Sequence, residues 1–136
     1  MFYREALGVV MLAVLAQMAP AQQASSGSVE DVIRDQMAAF QSDDWERAFG
    51  HASPSIQGIF RTPETFGEMV RRGYPMVWRP GEIRFGAMSE KSDRRVQVVI
   101  VTDERGVPHA LEYEMVPAPE GWKINGVRLL QSDVGA

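Results

Sequence analysis

The sequence predicts an α+β domain of three N-terminal helices packed on a curved antiparallel sheet of about four strands. Two observations carry the prediction. Apolar residues recur at helical spacing from Val29 to Val70, whereas from Glu82 onward they recur with a period of two. Helix patterns and strand patterns are therefore segregated, which argues for α+β over an alternating α/β chain. A third observation sets the topology. The strand patterns are joined by short turns rich in Gly, Pro, Asp and Asn, as an antiparallel meander requires.

Taken in order, the first segment is a targeting signal. Arg4 supplies a positive start, Ala6 to Ala16 is an unbroken run of eleven apolar or Gly residues, and Ala19-Pro20-Ala21 is a small-x-small cleavage site. The run is shorter than the roughly 20 residues of a spanning helix. Residues 1–21 are expected to be removed on export, leaving no stable membrane anchor. Residues 22–27 form a polar leader, 28–131 the domain and 132–136 a tail. The chain has no cysteine, which suits a bacterial periplasm better than fluids where small domains lean on disulfides.

Ser28 is a candidate cap for the first helix, whose apolar stripe is Val29, Val32, Ile33, Met37 and Phe40. Ser42-Asp43-Asp44 stops it and starts a second carrying Trp45, Ala48, Phe49 and Ala52. Ser53-Pro54 and Thr62-Pro63 each read as a cap followed by a first-turn proline. The first opens a short segment with Ile56, Ile59 and Phe60; the second opens a helix with Phe66, Met69 and Val70. Gly73 ends that helix. Tyr74-Pro75 and Trp78-Arg79-Pro80 then form a rigid extended connection, because a residue before proline avoids the α region.

In the strand half, Ile83, Phe85 and Ala87 alternate with polar residues or Gly. Arg94 to Thr102 is rich in β-branched residues, and Asp103 to Gly106 is a hairpin loop. His109, Leu111, Tyr113 and Met115 share one face, opposite Ala110, Glu112 and Glu114. Val116 to Glu120 makes a second turn. Asn125-Gly126 falls too early in the last strand for a hairpin and reads as a bulge.

Three short helices and a curved sheet, closing on Gly121-Trp122-Lys123-Ile124-Asn125-Gly126-Val127, resemble the nuclear transport factor 2-like superfamily. Ser53-Pro54-Ser55-Ile56, Phe66-x-x-Met69-Val70 and Gly73 to Pro80 are similar to a bacterial secreted family known as domain of unknown function 4864. The resemblance spans about residues 28–131. It implies a cone with a pocket at its open end. Superfamily members include isomerases, dehydratases and adaptors, so the fold alone decides no function.

Tyr113 and His109 are the polar-tipped residues of an otherwise apolar strand face. With Phe85, Leu111 and Trp122 they are candidate pocket residues, and Tyr74, Trp78 and Arg79 are candidates for its rim. The floor is expected from Phe40, Phe49, Phe85, Leu111, Tyr113 and Trp122. The plainer role for Tyr113 is a core residue with its hydroxyl at the rim, and for His109 a strand end in solvent. Trp78 and Arg79 can equally seal the helix layer against the sheet.

Composition excludes several chemistries. The net charge of -4 opposes a nucleic-acid footprint, and the lack of cysteine removes thiolate metal sites and a Cys nucleophile. Asp43, Asp44 and Glu46 surround a helix start, where carboxylates cap more often than they bind metal. His51, Ser53 and Asp44 lack the context of a catalytic triad. The first helix has no tyrosine and the inner strand faces no carboxylate, unlike isomerase-type members of the superfamily. The reading is thus a non-catalytic binding or interaction module for a small apolar ligand or a peptide, without cofactor or metal. The alternative is a small acid/base enzyme of the isomerase or dehydratase type.

The strand Arg94 to Thr102 is apolar on both faces: Val96, Val98 and Ile100 on one, Val99 and Val101 on the other. One set meets the helices; the other, joined by Val127 and Leu129, is left outside. A homodimer through this outer face is expected, broken by lysine at Val99 and Val101, which places those two valines outside.

Overall fold

The computed structural model describes residues 26–130, with five helical segments ahead of four strands. The expected signal at 1–21, most of the leader and the tail at 132–136 lie outside the described residues. Helix α1 spans Ser26–Gln41. Residues 26 and 27 are therefore helical, and Ser28 lies inside the first turn instead of at the cap. Val29, Ile33, Met37 and Phe40 are fully or almost fully buried along one stripe, as their spacing dictates. Asp43 follows in a left-handed conformation, φ 56°, which Asp tolerates better than most residues.

The caps read from the sequence for the next three helices form as expected. Asp44 accepts from the Arg47 amide at the start of α2 (Trp45–Gly50). Ser53 accepts from the Ile56 amide at the start of α3 (Pro54–Phe60), and Thr62 from the Thr65 amide at the start of α4 (Pro63–Gly73). Phe66 of α4 is the hub of the helical layer. Its ring lies 5.3 Å from Phe49, 5.7 Å from Phe60 and 5.9 Å from Phe40, centroid to centroid.

The helical layer departs from expectation in number and in one connection. Among the described residues there are five helical segments, not three, and Pro75–Trp78 forms a one-turn helix, α5, where the sequence predicts an extended run. The proline rule itself holds. Tyr74 (φ -136°, ψ 61°) and Arg79 (φ -137°, ψ 76°), each preceding a proline, stay out of the α region. Pro75 occupies a first-turn position, where its missing N–H costs nothing.

Strands β1 (Ile83–Lys91), β2 (Arg94–Thr102), β3 (Pro108–Ala118) and β4 (Gly121–Leu129) pair antiparallel in chain order. The β2–β3 loop turns at Gly106, φ 85°, while the Asp103 carboxylate accepts from the Arg105 and Val107 amides. Asn125 is the extra residue of a bulge in β4, since Gly126 faces Glu114 and Ile124 faces Met115. A second irregularity lies in β1 between Phe85 and Met88, so Ala87 does not continue the inward row.

The inner face, covered by helices, carries Val99, Val101, Leu111, Tyr113 and Met115, all fully buried. The expected exposure of Val99 and Val101 is therefore corrected: Val96, Val98 and Ile100 are the outward, partly exposed set. Val127 pairs with Tyr113 on the inner face and does not join an outer patch. Glu112 and Glu114 lie outward as expected, paired with Arg128 and Arg94. The free edge of β4 is strapped by the chain between α2 and α3. The Ser53 amide donates to the Ile124 carbonyl at 2.8 Å, and the Ile124 amide donates to the His51 carbonyl at 2.8 Å.

Candidate ligand-binding pocket

Between the helices and the inner sheet face lies a cavity of about 250 Å³. Each wall follows from a pattern already described. α1 contributes Gln36 and Phe40, one turn apart on its buried stripe. α3 contributes Ile56 and Phe60, and α4 contributes Phe66, Met69 and Val70. Tyr74 and Val77 close the side next to α5. The sheet contributes Tyr113 from β3 and Ile124, Gly126 and Val127 from β4. The bulge at Asn125 restores the inward direction of Val127 after Ile124, so both reach the wall.

The cavity is apolar apart from three side chains. The Gln36 amide donates to the Ala48 carbonyl at 3.0 Å. The Tyr74 hydroxyl donates to the Val127 carbonyl at 3.0 Å, joining the helical layer to β4 across the cavity. Tyr113 is fully buried, and its hydroxyl has no hydrogen-bond partner among the described residues. Burial pushes the Tyr113 hydroxyl well above its ordinary range, and the nearby Tyr74 adds to the effect. Tyr113 therefore stays protonated and can act as a donor. Its hydroxyl is in the interior and not at a rim.

Of the sequence candidates, Tyr74 and Tyr113 line this cavity. Leu111 is in the core next to β2, opposite Val99. Phe85 lies under the Arg34 guanidinium at 4.8 Å, and Trp122 under that of Arg95 at 4.8 Å. His109 sits 3.0 Å from Asp103 at the loop end of β3. That histidine, with the Val107 and Arg105 amides, holds the Asp103 carboxyl down at about 2. The expected floor is corrected accordingly: Phe40 and Tyr113 belong to it, whereas Phe49, Phe85, Leu111 and Trp122 do not.

Trp78 and Arg79 fasten the layers. The guanidinium stacks 3.7 Å from the Trp78 ring, donates to the Phe40 carbonyl at 2.7 Å near the end of α1, and meets Asp43 at 3.2 Å. Asp43 and Asp44 are thus occupied by Arg79 and by the α2 cap. His51 pairs with Asp35 at 2.6 Å and Ser53 with Asn125 at 2.6 Å, so the three residues of the triad pattern do not converge.

Of the helical wall, sequence reasoning finds Phe40 and misses the rest. Ile56, Phe60, Phe66, Met69 and Val70 are legible as helix faces, but the sequence places the pocket on Phe40, Phe49, the strand residues and a rim of Tyr74, Trp78 and Arg79. The Ser-Pro and Thr-Pro caps, which aim α3 and α4 at the same volume, were the available signal.

The profile of a family described as "Domain of unknown function (DUF4864)" matches residues 22–135. No curated protein sequence matches the chain. Among solved structures, the chain is similar to the solution structure of a SEC-C motif-containing protein from Rhodopseudomonas palustris. The TM-score is 0.60 and the identity 19%, covering 82% of this chain and 85% of that one. The likeness concerns the fold.

Proposed function

The chain belongs to that family of unknown function, and from this premise we propose that it is an exported, non-catalytic binding module whose cavity holds a small apolar molecule. The observation that carries the reading is the Tyr113 hydroxyl, fully buried on an apolar cavity wall without a protein partner. Buried polar groups in folded proteins are almost always paired, and of the two unpaired side-chain atoms among the described residues, Trp78 Nε1 and the Tyr113 hydroxyl, the hydroxyl is the one on the cavity wall, where a molecule from outside the chain can pair it. Among the described residues, no carboxylate, imidazole or amine lines the cavity, which supports binding over acid/base chemistry. Native mass spectrometry of the purified chain tests the reading. The expected result is a bound molecule lost on denaturation and recovered from an added apolar mixture. A chain that takes up nothing from such a mixture refutes it.

Export rests on the first 21 residues of the sequence. Intact mass of protein from the exported fraction is expected to correspond to a chain beginning at Gln22. A full-length chain retained in membranes refutes this part. The order of helices before a meander, and the cavity between the layers, support a nuclear transport factor 2-like cone. Pairing of two copies through the outer sheet face is also part of the proposal. Val96, Val98, Ile100 and Ala110 form a partly exposed apolar strip there, flanked by the Glu112–Arg128 and Glu114–Arg94 pairs.

A further inference from the structure

Given that the cavity is a binding site, its ligand class can be narrowed from the groups that line it. We infer that the cavity selects an uncharged ligand with one hydrogen-bond acceptor, such as a ketone, seated against the Tyr113 hydroxyl, and rejects the corresponding carboxylate. This selectivity rests on the binding reading of the cavity.

Three observations support it. First, among the described residues the Tyr113 hydroxyl is the buried polar group of the cavity wall that has no hydrogen-bond partner at all. Tyr74 is already committed to the Val127 carbonyl, and Gln36 is anchored through one N–H of its amide to the Ala48 carbonyl. Second, no cation among the described residues faces the cavity. Neither arginine nor lysine lines it; Arg71 and Arg72 are paired with Glu68, Arg79 with the Phe40 carbonyl and Asp43, and Arg128 with Glu112. An anion buried against Tyr113 would lose its hydration without gaining a counter-charge, and that cost exceeds what one neutral donor returns. Third, Tyr113 resists ionisation, because burial holds its proton in place. It therefore remains a donor and cannot supply a negative charge to attract a cationic ligand.

Size narrows the class. A cavity of about 150 Å³ accepts a benzene ring. By the same measure 250 Å³ accommodates about ten non-hydrogen atoms. The polar end sits against Tyr113, and the apolar remainder lies along Phe60, Phe66 and Met69.

The test compares three probes of nearly equal size: propiophenone, phenylacetate and propylbenzene, titrated by calorimetry into the purified chain and into Tyr113→Phe. In the wild type, propiophenone is expected to bind about five- to tenfold more tightly than propylbenzene, the worth of one net hydrogen bond. Phenylacetate is expected to bind at least about tenfold more weakly than the ketone. In Tyr113→Phe the ketone should lose its advantage while propylbenzene binds as before, which also shows that the variant is folded. Equal binding of ketone and hydrocarbon, or phenylacetate binding as tightly as the ketone, overturns this inference and leaves the binding reading standing. If none of the three binds, both fall.

Discussion

Two tyrosines face one cavity in opposite states, and removing their hydroxyls should move stability in opposite directions. Tyr74 donates a 3.0 Å bond to the Val127 carbonyl, while the Tyr113 hydroxyl is buried without a partner. Tyr74→Phe loses a made bond and should destabilise by about 1 kcal/mol. Tyr113→Phe removes a group whose unpaired burial costs about 1–3 kcal/mol. Against that stands the space the oxygen leaves, roughly 15 Å³, which at about 24 cal/mol per Å³ costs about 0.4 kcal/mol. Tyr113→Phe should therefore stabilise by about 1 kcal/mol or more. In a domain of this size each kcal/mol moves Tm by about 4–8 °C, so the two variants should melt well apart. The assay is urea denaturation with thermal melts as a check, on protein refolded from denaturant to strip any bound molecule. A Tyr113→Phe variant that loses more than about 1 kcal/mol under these conditions would show that the hydroxyl has a partner within the fold, and the site would lose its free donor.

Three further outcomes are expected. A Cβ at Gly67 would lie 2.5 Å from the Trp45 ring, whereas one at Gly58 meets nothing within 4 Å; Gly58→Ala should stabilise by about 0.5–1 kcal/mol and Gly67→Ala destabilise by about 1–2 kcal/mol, read from denaturant midpoints. Asp35 bonds Arg47 first and His51 second, and its carboxyl is held at about 2 against an ordinary 3.8. A depressed carboxyl contributes stability that is complete above its unfolded value and is lost as pH falls from about 4 through 2; because Asp35 is 39% exposed, the contribution should be below about 1 kcal/mol, and Asp35→Asn should remove it at pH 7 and have a progressively smaller effect as pH falls through 2. Finally, light scattering at high micromolar concentration should give a dimer mass for the wild type and a monomer mass for Val98→Lys/Ile100→Lys; a monomeric wild type refutes pairing through the outer face.

The legible parts of the fold were those set by local chemistry. Ser53-Pro54, Thr62-Pro63 and the Asp103 to Gly106 loop each satisfy their own backbone groups within a few residues, so the sequence around them suffices. The facing of β2 was not legible, because β-branched residues fill both of its faces. Gln97 is the polar member of the inner row, and its buried amide donates to the Gly86 carbonyl at 3.0 Å beside the β1 irregularity, a partner supplied only by strand pairing. The α5 turn was missed because the proline rule restricts Tyr74 and Arg79 but says nothing of the residues between them. The pocket was half legible for a similar reason. Tyr113 could be placed on the inner face from alternation alone, whereas Phe60, Phe66 and Met69 meet it only after three helices have docked, and that geometry depends on contacts far apart in the chain.

The strap on β4 ties the last strand to residues 51–53, so the beginning and end of the domain complete each other. During synthesis β4 emerges after every other described element. Until it arrives, the three-stranded sheet has a bare edge at β3, the carbonyl that accepts from Tyr74 is missing, and the cavity is open on the side where Ile124 and Val127 will stand. The cavity therefore comes into being in the last step of chain assembly. A chain stopped before Gly121 would combine an exposed strand edge with an apolar cavity open on one side, the pairing of features by which nascent chains are captured by chaperones or lost to aggregation.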